Sequence, residues 1–291
     1  MAIYNLGSIN ADNFYFVPHI PVAGETLAAT ALRRGLGGKG ANMSVAAARA
    51  AAQVFHIGAI GEDGRWARTR LLEYGVDVAY ISESTEPTGH ANICVAADGE
   101  NQIVLFPGAN RSVTTDQIGS ALSGANAADI LLLQNETNAQ RVAAEMGKTL
   151  GLHVAYAAAP FEAEAVKSVL PFLDFLFLNA VEAEQLQQAL GTAPENLSVP
   201  NVIITSGRKG SHWIDTNKGK TEHFPAMRIS PVDTTGAGDT FTGYVLAGID
   251  RGFPVAQAIR TATVAAALMV TRHGTADVIP DLKEVQDARF G

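Results

Sequence analysis

The sequence predicts an α/β fold, a mainly parallel sheet covered by helices on both faces in three αβα layers. Three observations predict it. Short apolar runs alternate with longer Ala/Leu-rich segments at helical spacing, the pattern of βαβ units. Runs such as Ile130-Leu131-Leu132-Leu133 are apolar throughout, which fits a sheet buried on both sides. Two stretches, 10–34 and 90–106, break the alternation and carry β-type residues instead.

In chain order the expected strands are Ile3–Leu6, Val54–Ile60, Ile130–Leu133, His153–Tyr156, Phe172–Leu178 and Val202–Thr205. The expected helices are Ala41–Ala52, Trp66–Tyr74, Ala139–Leu150, Glu162–Val169, Val181–Leu190, Thr240–Arg251 and Val255–Val270. The two irregular stretches contain Phe14, Tyr15, Phe16 and Val17, and Ile93, Val95, Ile103 and Val104, and are expected to pair as a small separate sheet. No repeat, low-complexity tract or linker interrupts the chain. Residues 1–291 are therefore expected to form a single α/β domain with a β lid from 10–34 and 90–106.

Composition narrows the function classes. Hydrophobic residues make up 47% of the 291 residues, enough to exclude a disordered chain. A formal net charge of -8 argues against nucleic acid as a partner. No apolar run is long enough to cross a bilayer, and Met1–Gly7 has no basic run followed by an apolar one, so no membrane association and a cytoplasmic location are expected. Cys94 is the only cysteine, which excludes an intramolecular disulfide and a cysteine metal cage; its strand-like context suggests a buried, inert thiol. The seven histidines show no metal-ligand spacing and no G-x-S-x-G nucleophile motif is present, so the histidines are expected to be scattered structural or surface residues.

The segment Asp233-Thr234-Thr235-Gly236-Ala237-Gly238-Asp239-Thr240-Phe241 runs into a helix. Gly236 and Gly238 allow a tight turn and close backbone approach to a ligand. The free N–H groups and partial positive charge of the helix start suit a phosphate. A carboxylate in the first turn, Asp239, is favoured in its ionised form and is available as a general base. The alternative is an ordinary first-turn acid, with the glycines serving only the turn.

The segment Gly35-Leu36-Gly37-Gly38-Lys39-Gly40-Ala41-Asn42 also opens a helix and matches G-x-G-x-x-G, with Glu62 about twenty residues on. A nicotinamide-dependent oxidoreductase using Gly35–Gly40 is therefore one alternative, although the segment does not directly follow the first buried strand. A Walker A loop fails at Arg33 and Gly40, and no H-R-D or D-F-G follows for a protein kinase. What remains is a glycine-rich surface with Lys39 and Asn42, able to bond a polyhydroxy ligand, or simply a tight helix entry.

Asn10 and Asp12 follow the first strand, where open α/β sheets bind ligands, or they serve turn chemistry. Glu136 ends the strand beginning at Ile130 in the same way. Asn179 and Glu182 end another strand and open a helix, as ligands or as N-cap and capping-box partner. Thr205-Ser206-Gly207-Arg208-Lys209-Gly210 follows a strand and also reads as a hairpin turn.

Taken in order, Gly-Ser-Ile-Asn-Ala-Asp at 7–12, Gly-Gly-Lys-Gly-Ala-Asn at 37–42, Asn-x-x-Glu at 179–182, Thr-x-Gly-x-x-Gly at 205–210 and Asp-Thr-x-Gly-Ala-Gly-Asp-Thr-Phe at 233–241 resemble the PfkB (ribokinase-like) family of carbohydrate kinases over nearly the whole chain. Among its members the chain looks most like the ribokinases. The resemblance implies a ribokinase-like three-layer fold and ATP-dependent phosphorylation of a small sugar, ribose being the leading candidate, with another polyol or a nucleoside as the alternative. It implies Asp239 as catalytic base, with Gly236, Ala237 and Gly238 as anion hole. Asn10, Asp12, Gly38, Lys39, Asn42 and Glu136 would hold the sugar, with the Asn42 amide facing it. Thr205, Gly207 and Gly210 would lie along the nucleotide, with Asn179 near its phosphates. Glu182 would act on Mg²⁺ through water. A monovalent cation, often K⁺, would sit at Asp233, Thr235, Arg272 and Gly274, and the β lid would join a homodimer.

Some segments depart from the family pattern. Tyr156-Ala157-Ala158-Ala159-Pro160 lacks an amide, Ala262-Thr263-Val264-Ala265 replaces a segment that often holds a histidine near adenine, and Val278 replaces a hydroxyl at the cation site. Thr88-Gly89-His90-Ala91-Asn92 offers no arginine for a sugar phosphate, which leaves His90 and Asn92 to face a polyol or nucleoside.

Overall fold

The computed structural model describes residues 1–290. In chain order it contains β1 (Ile3–Leu6), β2 (Asn10–Val17), β3 (Ala31–Gly37), α1 (Lys39–Arg49), β4 (Val54–Ile60), α2 (Arg65–Glu73), β5 (Ile81–Glu83), β6 (Gly89–Ala96) and β7 (Asn101–Phe106). There follow α3 (Thr115–Leu122), β8 (Ile130–Gln134), α4 (Gln140–Thr149), β9 (His153–Ala157), α5 (Ala163–Val169), β10 (Phe175–Asn179), α6 (Ala180–Leu190) and β11 (Asn201–Thr205). The chain ends with β12 (Ser211–Asp215), β13 (Lys220–Phe224), α7 (Ala237–Asp250), α8 (Val255–Met269) and α9 (Leu282–Asp287).

The large sheet runs β13-β12-β11-β10-β9-β8-β1-β4-β5. It is parallel from β5 to β11 and turns antiparallel at β12 and β13. β8 shows why it must be covered twice. Ile130 and Leu132 pack into one core with α1, α7 and α8, while Leu131 and Leu133 pack into another with α3, α4 and α5. Side chains alternate across a strand, so an all-apolar strand needs apolar partners on both faces.

The strand order reverses around β1, which has β4 on one side and β8 on the other. Such a reversal opens a crevice beyond the carboxyl ends of the strands. The 7–12 segment and Glu136 leave β1 and β8 there.

The two irregular stretches pair as a four-stranded sheet in the order β3-β2-β6-β7. β2 and β6 run parallel, the others antiparallel. Its outer strands expose large apolar side chains, among them Leu32, Ile103, Val104 and Leu105. His90 and Asn92 lie on the face of β6 opposite the one that continues Asp12, with Asn13 donating to Asn92 over 3.1 Å. They therefore turn away from Asp12 and do not face a ligand beside it. Cys94 is on that same side and is half-buried, not fully buried as its context suggests.

Three expected boundaries shift by three residues. The strand expected from Phe172 starts at Phe175 because Leu170-Pro171-Phe172 forms a 3₁₀ turn. The first helix stops at Arg49, and Ala51 takes a left-handed φ of 67°. The helix expected from Thr240 begins at Ala237.

Candidate functional site

The crevice begins where β1 and α1 cross. A Cβ on Gly40 would stand 2.3 Å from the Ser8 nitrogen and 2.4 Å from the Gly7 Cα, so the two backbones touch with no side chain between them. The Ala41 amide donates to the Ser8 carbonyl over 2.8 Å and the Lys39 amide to Glu136 Oε2 over 3.0 Å. The Ser8 hydroxyl also donates to Glu136. One carboxylate from the loop after β8 therefore caps the start of α1.

Below this crossing lies a buried polar chain. Gln134 Nε2 donates to Asn5 Oδ1 over 2.7 Å, and Asn5 Nδ2 donates to Ser44 Oγ and the Gly40 carbonyl over 2.8 Å each. Ser44 Oγ lies 2.8 Å from His56 Nδ1, and His56 Nε2 lies 3.0 Å from the Gly7 carbonyl. Only one tautomer satisfies both ends: Nε2 donates to the carbonyl and Nδ1 accepts from the hydroxyl. Burial pushes His56 down to about 4, against the pull of the Gly7 carbonyl, so the imidazole is neutral at pH 7. His56 is thus a core residue, one of the structural roles expected for the histidines.

Above the crossing stand the polar residues of the 7–12 segment. Asn10 Oδ1 accepts from Asn110 Nδ2 over 2.8 Å, and Asn110 Oδ1 accepts from the Ile9 amide over 2.9 Å. Asp12 is buried. Gly37 lies against it, and a Cβ there would fall 2.0 Å from Asp12 Oδ2. Burial, then the charges of Glu136 and Asp239, pushes the Asp12 carboxyl up to about 7. Lys39 is the cation of the group. Asp239, then Glu136 and Glu182, hold it above the ordinary lysine range against the opposing effect of burial. A cavity of about 200 Å³ opens here, lined by Asn10 and Glu136 and also by Asn110, Arg111, Asn135 and Phe106. The latter four were not among the expected site residues. Nothing local marks Asn110 and Arg111, which the path of β7 delivers to the crevice.

The start of α7 faces the same region. Gly236 takes a left-handed φ of 75°, and its Cβ direction is closed by Met269 Cε at 2.9 Å. Around Gly238 nothing lies within 4 Å of a Cβ. The Ala237 amide donates to the Thr234 carbonyl and the Thr240 amide to the Gly236 carbonyl. Among the described residues the amides of Gly238 and Asp239 have no acceptor. They are the orphan donors of a helix start, suited to an anion. Asp239 is 7% exposed and accepts from Asn42 Nδ2 over 2.8 Å. The Asn42 amide, expected to face a sugar, is committed to Asp239, while Asn42 Oδ1 is buried without a partner.

A second cavity of about 430 Å³ borders Ala237 and Gly238 on the other side and runs under Thr205, Gly207 and Gly210. The 205–210 segment does join the antiparallel pair β11 and β12, so its hairpin reading holds as well. Gly210 takes a φ of 90°, and a Cβ there would fall 2.0 Å from the Phe224 carbonyl oxygen.

Asn179 and Glu182 form a complete capping box. The Glu182 amide donates to Asn179 Oδ1 over 2.9 Å, and the Asn179 amide to Glu182 Oε2 over 2.7 Å. Burial raises the Glu182 carboxyl above its ordinary range, against the pull of the Asn179 amide and Lys39. Its second oxygen is left for a cation or a cation-bound water. Asp233 Oδ1 accepts from the Thr235 amide over 2.9 Å and Oδ2 from the Gly274 amide over 3.3 Å. The Arg272 guanidinium turns away to the Val278 carbonyl and Glu284, so only its backbone stays beside this loop.

The dinucleotide reading does not fit this layout. Gly35 and Gly37 belong to strand β3 of the small sheet, and Glu62 is an exposed partner of Arg65.

Comparison with known proteins decides the family. The model for pfkB family carbohydrate kinases matches residues 3–282. The chain belongs to the pfkB family of carbohydrate kinases. It is similar to a ribokinase of Haemophilus influenzae, 35% identical over 96% of this chain and 95% of that one. A deoxyribokinase of Salmonella typhi is 31% identical over 99% and 98%. Among solved structures, Arabidopsis thaliana ribokinase complexed with ribose and ATP superposes with a TM-score of 0.86 at 29% identity, covering 98% of both chains. The pfkB chain described here is accordingly an ATP-dependent sugar kinase with the ribokinase-like α/β fold.

Proposed function

We propose that this kinase phosphorylates ribose, with Asp239 as general base. The observation that carries the reading is the buried Asp239 carboxylate beside two unpartnered amides at the start of α7. One cavity reaches those amides, and the other is lined by the polar residues Asn10, Asn110, Arg111, Asn135 and Glu136. A sugar hydroxyl gives its proton to Asp239 as its oxygen attacks the γ-phosphorus of ATP. The bond to the bridging oxygen breaks and ADP leaves. Such a transfer needs alignment and charge neutralisation more than covalent help.

Gly236, Ala237 and Gly238 form the anion hole. Asn10, Asp12, Gly38, Lys39 and Glu136 hold the sugar, and Asn42 orients the base. Thr205, Gly207 and Gly210 follow the nucleotide, with Asn179 near its phosphates. Mg²⁺ supplies charge neutralisation on those phosphates. The free oxygen of Glu182 fits a water-mediated contact to it, because the other oxygen is held by the capping box. The Asp233 carboxylate and the loop carbonyls near Thr235, Arg272 and Gly274 are hard oxygen donors of the kind a K⁺ ion takes.

The 10–34 and 90–106 sheet acts as a lid that excludes water from the transfer. Its exposed Leu32, Ile103, Val104 and Leu105 are the surface on which a homodimer would form. Among the described residues no helix is long and apolar enough to cross a membrane, and a cytoplasmic location is part of the proposal. The test is an ADP-release assay across pentoses, deoxy sugars, hexoses and nucleosides, with and without K⁺. Ribose should give the highest kcat/KM; a nucleoside or hexose ahead of it would overturn the assignment.

A further inference from the structure

The 430 Å³ cavity has polar and apolar walls. Its polar side chains are Thr205, Arg208 and Ser211 around the β11–β12 turn and Thr234 before α7, and it also borders Gly238. The other walls come from Ala226, Met227 and Ile229 after β13, from Phe241 of α7, and from Ala266 and Val270 in and just after α8. These six side chains carry no nitrogen or oxygen. Thr263, the hydroxyl that α8 adds to the lining, donates to the Ile259 carbonyl of its own helix over 2.8 Å.

Resting on the nucleotide assignment above, we infer that this kinase reads its donor through the phosphates and takes purine nucleoside triphosphates without regard to the base. Adenine and guanine differ in the donors and acceptors on one ring edge. A site rejects the wrong one strongly only if it places a hydrogen-bonding group against that edge, which the wrong base would leave unpaired. Alkyl and aromatic walls offer each purine the same apolar contact. Pyrimidines fill less of the cavity, cover less of its apolar surface and bind more weakly.

The test measures two things on the full chain. Calorimetry gives Kd for ADP, GDP and IDP with Mg²⁺, and an acceptor-phosphorylation assay gives kcat/KM for ATP, GTP and ITP. The three Kd values should agree within about tenfold, as should the three kcat/KM values, the scale that apolar contacts alone can discriminate. Met227→Ala should weaken all three diphosphates by a common factor. An ADP preference beyond about tenfold, or a Met227→Ala effect confined to one base, overturns the inference. The backbone of 225–231 would then be reading the ring edge. Equal binding of the three diphosphates with no turnover from any donor supports the inference and counts instead against the phosphoryl-transfer roles.

Discussion

The Asn42 carboxamide donates to the Asp239 carboxylate over 2.8 Å across 197 residues of sequence. It fastens the first turn of α1 to the first turn of α7 and fixes where the carboxylate points. Removing the base should therefore stop the chemistry and spare the fold. Asp239→Asn is expected to lower kcat by about 10²- to 10⁴-fold, the usual contribution of general base catalysis. A melting curve should stay within a few degrees of wild type. Turnover near the wild-type rate in the ADP-release assay would sink the assignment.

Asn42→Ala should act on the reaction more than on binding. Its donor goes to the base, so the variant leaves Asp239 buried and free to rotate. The expected signature is a drop in kcat with smaller changes in the KM for sugar and for ATP. Losing a buried donor to a carboxylate should also cost about 1–3 kcal/mol in urea unfolding. A rise confined to the sugar KM would place the amide on the sugar instead.

The two glycines that frame Ala237 should separate cleanly. Gly236→Ala puts a Cβ on a left-handed residue and 2.9 Å from Met269 Cε, so it should lose stability, by about 1–2 kcal/mol. Gly238→Ala meets no atom within 4 Å and sits in the first turn of α7. It should melt at or slightly above wild type, because alanine favours the helix. Its methyl projects into open space beside the unpartnered amides, so kcat should fall. Full activity in Gly238→Ala would rule out that cavity as the phosphoryl site.

Asp12 and His56 pull the pH dependence of stability in opposite directions. Folding holds Asp12 near 7 against an ordinary 3.8, so the folded protein retains a proton the unfolded chain has lost, and stability falls as pH rises from about 4 to 7. Folding holds His56 near 4 against 6.5, so the unfolded chain takes up a proton first, and stability falls as pH drops from 6.5 toward 4. Each effect is on the order of 3–4 kcal/mol. In the wild type they largely cancel. Asp12→Asn should become acid-sensitive between pH 7 and 4.5, and His56→Gln should lose stability between pH 4.5 and 7. Urea melts at the two ends of that range check both signs; parallel profiles in all three proteins would refute the opposition.

The sequence shows most clearly what depends on local pattern. Ile3–Leu6 and Val54–Ile60 were legible to the residue, because each is a mainly apolar run, closed by Gly7 in the first and by Gln53 and Gly61 in the second. β12 and β13 were not, since Ser211–Asp215 and Lys220–Phe224 mix polar and apolar residues as outer strands do. The helix start around Asp239 declares itself in its two glycines and first-turn carboxylate. Asn5 and His56 do not: each is a lone polar residue inside an apolar strand, and Asn5 finds its partners on α1 and β8, His56 on α1 and at the Gly7 carbonyl. Asn110 and Arg111 are likewise given their place by the end of β7, a tertiary event with no local mark.

The meeting of Gly7 and Gly40 has a consequence for how this kinase can change. Most contacts in a core can be repaired, because a larger residue on one side is offset by a smaller one opposite. Here both sides are already at the minimum, and backbone meets backbone. No second substitution can make room for the first. A saturation library should find both positions closed even to alanine, and double variants should rescue neither. The crevice can be redesigned around that point, but not through it.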